Sequence, residues 1–157
     1  MKKNDISYKN EELNIRFNFR VALICLNNNK ILLQKADKDN YWSLIGGRVL
    51  LGEDTKEAII REIKEETGVI IKNHEPKLIK VVENFFTYNN TKFHELLYIY
   101  KIDNNFELNN MDNFNTLDKD SVINKWLPLS DINDIDLRPE IIKKCYNVDT
   151  LSSDIIK

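Results

Sequence analysis

The sequence predicts an α/β sandwich with a mixed sheet, and three observations support this. Segments in which apolar residues alternate, as in strands, are interleaved with two segments of helical spacing. The 157 residues suffice for one hydrophobic core. Neither a linker nor an internal repeat divides the chain. We therefore expect one domain over residues 1–157, with the polar residues 1–12 partly disordered.

The first half of the predicted sheet comes from residues 16–51. Residues 16–26 form a long strand whose apolar side chains alternate on one face, namely Phe17, Phe19, Val21, Leu23 and Cys25. The three asparagines at 27–29 signal a turn, and residues 31–34 form the return strand. Residues 42–51 are expected to be extended.

A helix is predicted next, followed by a hairpin. Asp54 and Thr55 are typical of a helix start, and Gly68 is typical of a helix stop. Strands over 78–87 and 93–102 are joined around Asn89-Asn90. Residues 104–121 form a polar loop whose length indicates function or mobility. A strand over 122–127 and a helix over 139–146 complete the fold.

Composition excludes several classes of partner. The formal net charge is −2, so no basic surface for duplex nucleic acid is expected. No apolar run reaches 18 residues, so no membrane association is expected. Cys25 and Cys145 show no disulfide pattern, which favours a reducing compartment. These features predict a cytoplasmic protein.

One segment combines glycines, glutamates and an arginine at fixed spacing. It contains Gly47, Glu53, the run Arg61-Glu62 and the run Glu65-Glu66-Thr67-Gly68. At roughly 100° per helical residue, Glu62, Glu65 and Glu66 share an arc of about 100°. Such a charge run alone is usually a solvated face. Like charges this close repel, however, and Mg²⁺ or Mn²⁺ would reverse that repulsion because hard cations prefer oxygen ligands.

This pattern resembles the signature of the Nudix hydrolases at every specified position of the Nudix box, residues 47–69. Residues 41–47 and 126–129 extend the similarity, which covers roughly residues 14–146. The resemblance implies an α/β/α sandwich with the sheet between helices. It also implies hydrolysis of small nucleotide substrates in which a nucleoside diphosphate is linked to another moiety. Homodimers are frequent in the family, so a homodimer is one expected state.

The resemblance assigns roles to the box residues. Glu62, Glu65 and Glu66 match the family's metal ligands, and the Gly47 carbonyl matches a further backbone ligand. Glu53 and Arg61 match a pair that orients the glutamates through a charge-assisted hydrogen bond. The alternative for Glu53 is a plain acidic residue at a helix start, where the helix dipole favours it. The resemblance therefore predicts four catalytic residues, which are Glu65, Glu66, Glu53 and Arg61.

The general base and the substrate contacts stay open. The base is Glu65 or Glu66, or an acid outside the box, for which Glu95, Asp118 and Asp120 are candidates. Arg20 and Arg48 are candidates for binding phosphate or a terminal ribose. The alternative is that both are ordinary charged residues of the surface. Trp42 is a candidate for stacking on a nucleotide base. The alternative is that it only packs in the core or at the rim of the site.

The predicted function is therefore metal-dependent hydrolysis of a diphosphate linkage by metal-activated water. The substrate is a nucleoside diphosphate derivative such as a nucleotide sugar, ADP-ribose or a nucleoside triphosphate, and the sequence does not choose among them. The alternative is a non-catalytic module of the same fold that senses a nucleotide. Such modules typically lose box glutamates, and this chain has all of them.

Overall fold

A computed structural model describes residues 4–157, and its strands join into one nine-stranded sheet. The strands are β1 (Ser7–Asn10), β2 (Ile15–Asn27), β3 (Lys30–Ala36), β4 (Ile45–Arg48), β5 (Lys77–Tyr88), β6 (Thr91–Asp103), β7 (Phe114–Asn115), β8 (Val122–Pro128) and β9 (Ser152–Ile156). The helices are α1 (Thr55–Thr67), α2 (Phe106–Asn109), a 3-10 helix (Leu129–Asp134) and α3 (Ile142–Cys145).

The sheet is mixed, as predicted. Its main order is β7-β8-β3-β2-β6-β5-β9, and β1 and β4 also pair with β2. The central pair β2 and β6 is parallel, as is the pair β5 and β9, whereas the remaining pairs are antiparallel. β2 therefore contacts β1, β3, β4 and β6, which makes it the strand around which the sheet is built.

Two hydrophobic cores lie on the two faces of the sheet. The first core contains the β2 residues Val21, Leu23 and Cys25, with Phe19 packed against it, and α1 covers it with Ile59 and Ile63. The second core contains the alternate β2 residues Ala22 and Ile24, and it is covered by Ile132 of the 3-10 helix and Ile142 of α3. Both faces of β2 are thus buried, and the predicted sandwich is confirmed.

The asparagine-rich turns occur where the sequence predicts them. Asn28 between β2 and β3 has φ 53°, and the two-residue connection Asn89-Asn90 between β5 and β6 has φ values of 48° and 64°. Asparagine tolerates this left-handed region better than most residues. A two-residue connection with both residues at positive φ matches the right-handed twist of a hairpin.

Helix α1 begins and ends as predicted. The Asp54 side chain accepts a hydrogen bond from the Glu57 backbone, and the Glu57 side chain accepts one from the Asp54 backbone, which forms a capping box. Gly68 ends the helix in the left-handed conformation at φ 79°, and its N–H donates to the Lys64 carbonyl. These two caps fix the register in which the helix presents its glutamates.

Four segments differ from the prediction. Within the segment predicted to be partly disordered, Ser7–Asn10 form β1, which pairs with β2 through backbone hydrogen bonds that need no apolar side chains; residues 1–3 lie outside the described part. The loop 104–121 contains α2 and β7 and is anchored by the buried Leu108. The helix predicted over 139–146 is reduced to α3, because residues 142–144 donate to carbonyls three residues earlier. Strand β9 is not predicted at all.

Among the described helices, none combines the length and the apolar character that crossing a bilayer requires.

Candidate active site

Helix α1 places three glutamates beside the first core. Glu62 is 6% exposed and Glu66 is fully buried, while the Glu65 side chain remains 30% exposed. The apolar residues Ile59 and Ile63 of the same helix pack into the core. Buried carboxylates are costly unless something compensates their charge. The neighbours of these glutamates therefore decide what the site can do.

The Arg61 guanidinium links the carboxylates to one another. Its Nε and Nη2 donate to Glu53 at 3.0 and 2.6 Å, and its Nη1 donates to Glu62 at 2.7 Å and to Glu65 at 3.2 Å. Nη2 also donates to the Arg48 carbonyl at 2.9 Å. All five N–H donors of the guanidinium are thus used. The hydrogen bonds to Glu53, above all, raise the pKa of Arg61.

Glu53 is held by more than this arginine. Its Oε1 also accepts a hydrogen bond from the Leu50 N–H at 2.8 Å. Glu53 therefore connects the loop before α1 to Arg61, and Arg61 connects both to Glu62 and Glu65. This chain of charge-assisted hydrogen bonds fixes two carboxylates that would otherwise turn away from each other.

Gly47 of β4 lies directly against the Glu62 carboxylate. A Cβ atom added at Gly47 would overlap both carboxylate oxygens of Glu62. The neighbouring Gly46 is equally restricted, because a Cβ there would overlap the Val21 carbonyl of β2. The two glycines therefore allow β4 to pack closely against β2 on one side and α1 on the other, and they bring the Gly47 backbone beside Glu62.

Asp118 joins this site from the loop between β7 and β8. One oxygen each of Glu62, Glu65 and Asp118 lies within 4.8 Å of the other two. The loop is attached to the end of α1 by the Leu117 N–H, which donates to the Glu66 carbonyl at 3.0 Å. Among the acids outside the box that are predicted as candidates for the general base, Asp118 thus lies beside Glu62 and Glu65. Asp120 is exposed and does not belong to this group.

Lys119, next to Asp118, forms an ion pair with Glu66. Its Nζ lies 2.9 Å from Glu66 Oε1. Glu66 Oε2 is buried and has no hydrogen-bond partner within residues 4–157. Burial raises the pKa of Glu66 to about 7, although Lys119 acts in the opposite direction. Glu66 is therefore a buried carboxylate whose second oxygen still lacks a partner.

These residues fit a divalent cation. Mg²⁺ and Mn²⁺ take carboxylate oxygens, and Glu62, Glu65 and Asp118 offer three within one small volume. The unsatisfied Oε2 of Glu66 is a further buried acceptor beside them. The arrangement can therefore hold a cation where α1 meets the loop between β7 and β8.

A cavity of about 430 Å³ opens on the other face of the sheet. Ala22, Leu44 and Leu97 of the second core contribute to its wall. Arg20 of β2 and Glu95 of β6 also line it, with Arg20 Nη1 3.8 Å from Glu95 Oε2. Glu95, like Asp118 a predicted candidate for the general base, thus lies in this cavity and away from Asp118.

The other two predicted substrate residues lie outside the cavity wall. The Arg48 Nε donates to Asn18 at 3.0 Å, and its Nη1 lies 3.4 Å from Asp5. Burial, followed by the charges of neighbouring arginines, lowers the pKa of Arg48. Trp42 packs against the second core, with the Lys35 ammonium 5.6 Å from its ring centroid.

Sequence reasoning did not identify two residues of these sites. Lys119 pairs with the most buried glutamate, and Asn84 is a buried amide in the cavity wall. Lys119 could have been found from its position beside Asp118, in a loop whose length already indicates function. Asn84 leaves a weaker signal, a polar residue at an inward position between Val82 and Phe86 of a strand.

Comparison with solved structures agrees with this fold. The structure is similar to the mutator MutT protein of Bacillus halodurans, with a TM-score of 0.69, 18% identity and 88% of each chain covered. It is also similar to a MutT protein of Methanosarcina mazei Go1, with a TM-score of 0.57 and 20% identity over 83% of this chain and 90% of that one. Identities this low show a shared fold.

Sequence comparison establishes the family. The chain is 38% identical over 48 residues to YvcI, an uncharacterized Nudix hydrolase of Bacillus subtilis, but this covers 31% of the chain and 30% of that protein. The NUDIX domain model matches residues 17–146, which is most of the chain. The chain therefore belongs to the NUDIX family, the Nudix hydrolases.

Proposed function

We propose that this protein hydrolyses the diphosphate linkage of a nucleoside diphosphate derivative with the help of a divalent cation. The observation that supports this most strongly is the group of carboxylates from Glu62, Glu65 and Asp118, ordered by Arg61. Membership of the Nudix hydrolases agrees with it. Nucleotide sugars, ADP-ribose and nucleoside triphosphates all contain the required linkage.

Mg²⁺, or Mn²⁺ in its place, is the proposed cofactor, and Glu62, Glu65, Glu66 and the Gly47 carbonyl are its proposed ligands. When bound, such an ion supplies positive charge to the diphosphate and lowers the pKa of water. Arg61 and Glu53 take no ligand position in this proposal. They hold Glu62 and Glu65 in place through the hydrogen bonds described above.

Asp118 is our proposed general base. It lies with Glu62 and Glu65, on a loop tied to the end of α1. A base must come within hydrogen-bond reach of the attacking water. Glu95 is less suited because it lines the cavity on the other face of the sheet. Glu65 is the alternative inside the box, although it already accepts a hydrogen bond from Arg61.

Lys119 has a proposed role in the resting protein. Its ammonium compensates the charge of the buried Glu66 at 2.9 Å. A cation bound by Glu66 would take over that compensation, which would release Lys119 toward an anionic substrate. Lys119 is 46% exposed and can turn outward without losing its hydration.

Arg20 is the proposed contact to a terminal ribose of the substrate, since it is partly exposed and lines the cavity on the face of the sheet away from α1. Arg48 of the adjacent strand, which pairs with Arg20 in register, is proposed to add positive charge for the substrate phosphates. The net charge of −2 supports a small nucleotide as the partner in preference to duplex nucleic acid.

The test is a panel of nucleotide sugars, ADP-ribose, nucleoside triphosphates and dinucleotide polyphosphates, incubated with Mg²⁺ or with EDTA and separated by chromatography. We expect at least one of them to be cleaved at its diphosphate linkage with Mg²⁺ and to persist in EDTA. Binding of nucleotides without cleavage of any of them would instead indicate a non-catalytic sensing module.

A further inference from the structure

The loop between β7 and β8 has to be held in place by the rest of the fold, because its own residues bury very little. Residues 117–121, which include Asp118 and Lys119, are all exposed. Ordering such residues costs conformational entropy that their own burial does not offset. Contacts at the base of the loop must therefore help to keep Asp118 beside Glu62 and Glu65.

The base of the loop contains a buried hydrogen bond between Asn124 and Thr116. Asn124 of β8 is fully buried, and Thr116 is 4% exposed. The Asn124 Nδ2 donates to Thr116 Oγ1 at 2.9 Å and, over a longer distance of 3.4 Å, to the Phe114 carbonyl. The Thr116 N–H donates to the Val122 carbonyl at 3.0 Å. These bonds join the two chain segments that enter and leave the loop.

Asn124 occupies a strand position at which packing alone favours an apolar residue. Trp126, two residues later and hence on the same face of β8, packs against the first core. Asparagine is depleted in strands, and a buried amide costs free energy unless its groups are paired. The Asn124 Oδ1 is buried and has no hydrogen-bond partner within residues 4–157. Stability alone therefore does not explain the amide, whereas its hydrogen bond to the loop does.

This anchor is close enough to Asp118 to determine where its carboxylate lies. Leu117, which follows Thr116, donates its N–H to a carbonyl in the last turn of α1 at 3.0 Å. Asp118 is the next residue, with one oxygen within 4.8 Å of oxygens of Glu62 and Glu65. Two residues of chain span at most about 7 Å. A displacement of Thr116 is therefore transmitted to the Asp118 carboxylate.

We propose that Asn124 is a positioning residue for hydrolysis, which acts through Thr116 to hold Asp118 at the carboxylates of α1. Asn124 contacts neither the substrate nor the cation in this proposal. The inference rests on the proposed function for the role of Asp118 as the general base. A base must stay within hydrogen-bond reach of the attacking water, so a displacement of about 1 Å is costly.

Two substitutions remove the hydrogen bond from opposite ends. Asn124→Leu removes the donor together with the unpartnered Oδ1, and Thr116→Val removes the acceptor at nearly constant shape. Each should lower kcat for the best nucleotide with Mg²⁺ by about 10-fold or more. Leucine has the branching of asparagine and suits a buried position, so the Tm of Asn124→Leu should stay near the parental value. A residue with a purely structural role would lower Tm instead.

Three further variants show whether this hydrogen bond is the cause. Thr116→Ser keeps the hydroxyl group, so its kcat should stay near the parental value. The double variant of Asn124→Leu and Thr116→Val should be about as slow as the slower single variant, because both changes remove one interaction. Asn115→Ala is the control, since Asn115 is the exposed neighbour of Thr116. Effects on ln kcat that add in the double variant would show that the two residues act separately, which overturns the proposal.

Hydrogen exchange in EDTA tests the anchor without metal and without turnover. The Leu117 amide should exchange about 10-fold faster or more in Asn124→Leu and in Thr116→Val than in the parent protein, because the loop opens more often. The Ile63 amide within α1 should keep its parental rate, since the helix retains its own hydrogen bonds and caps.

The outcomes separate this inference from the proposed function. A lower kcat and faster Leu117 exchange in both variants, with parental values in Thr116→Ser, support it. A parental kcat in both variants, or an unchanged Leu117 exchange rate, overturns it and leaves the proposed function in place. If the parent protein cleaves no nucleotide, the proposed function fails, whereas faster Leu117 exchange in both variants still supports Asn124 as the anchor of the loop.

Discussion

Replacing Arg61 should destabilise the metal-free protein more than the removal of an exposed ion pair does. The guanidinium donates five hydrogen bonds to three carboxylates and one carbonyl, and its side chain is 20% exposed. In Arg61→Gln the three carboxylates keep their burial and their mutual repulsion but lose this cation. Breaking a buried charge pair typically costs 3–5 kcal/mol, and partial exposure here favours the lower end, about 3 kcal/mol.

The assay is thermal and urea unfolding in EDTA. For a chain of this length, about 3 kcal/mol corresponds to a fall in Tm of roughly 6–12 °C. Lys9→Gln is the matched control, because its ion pair with Glu11 is largely exposed and should hardly contribute. If Arg61→Gln unfolds within about 2 °C of the parent protein, the network does not hold the carboxylates, and the reasoning fails.

Three further predictions concern the same site. Burial raises the pKa of Glu66 from 4.5 to about 7, so its protonated form stabilises the metal-free fold fully below about pH 4.5, and this stabilisation is lost as the pH rises through about 7. Urea unfolding in EDTA at several pH values should show this loss, and Glu66→Gln should abolish it. Lys119→Gln removes the ammonium that competes for Glu66, so the Tm increase produced by a fixed Mn²⁺ concentration should grow, and a smaller increase would contradict the competition. Gly47→Ala places a methyl group on the Glu62 carboxylate, so turnover should fall on the order of 10²-fold, whereas a parental rate would show that the helix can yield there.

The elements that the sequence predicts correctly are those with strong local signals. Helix α1 has both caps in its own sequence, Asp54 and Gly68, and its glutamates share a face by helical geometry alone. The hairpin between β5 and β6 is signalled by the two asparagines that adopt positive φ. The apolar alternation in β2 identifies a face that packs against α1.

The missing elements depend on contacts distant in sequence. Strand β9 has largely exposed residues and exists because its backbone pairs with β5, with Lys80 contacting Ser152 and Asp154. No period in residues 152–156 indicates that pairing. The same holds for the sites, since the meeting of Asp118 with Glu62 and the facing of Asn84 and Glu95 arise only from the tertiary fold.

The most direct test of the proposed function is the turnover number of Glu65→Gln with Mg²⁺ and the best nucleotide of the panel. The substitution keeps the shape of a residue that lies in the carboxylate group and is 30% exposed, so folding should persist. Lys64→Gln is the control, because Lys64 is the exposed neighbour in the same helix. We predict a fall in kcat on the order of 10²-fold or more for Glu65→Gln and a nearly parental kcat for Lys64→Gln. A parental kcat in Glu65→Gln would contradict the assignment of α1 as the platform for hydrolysis.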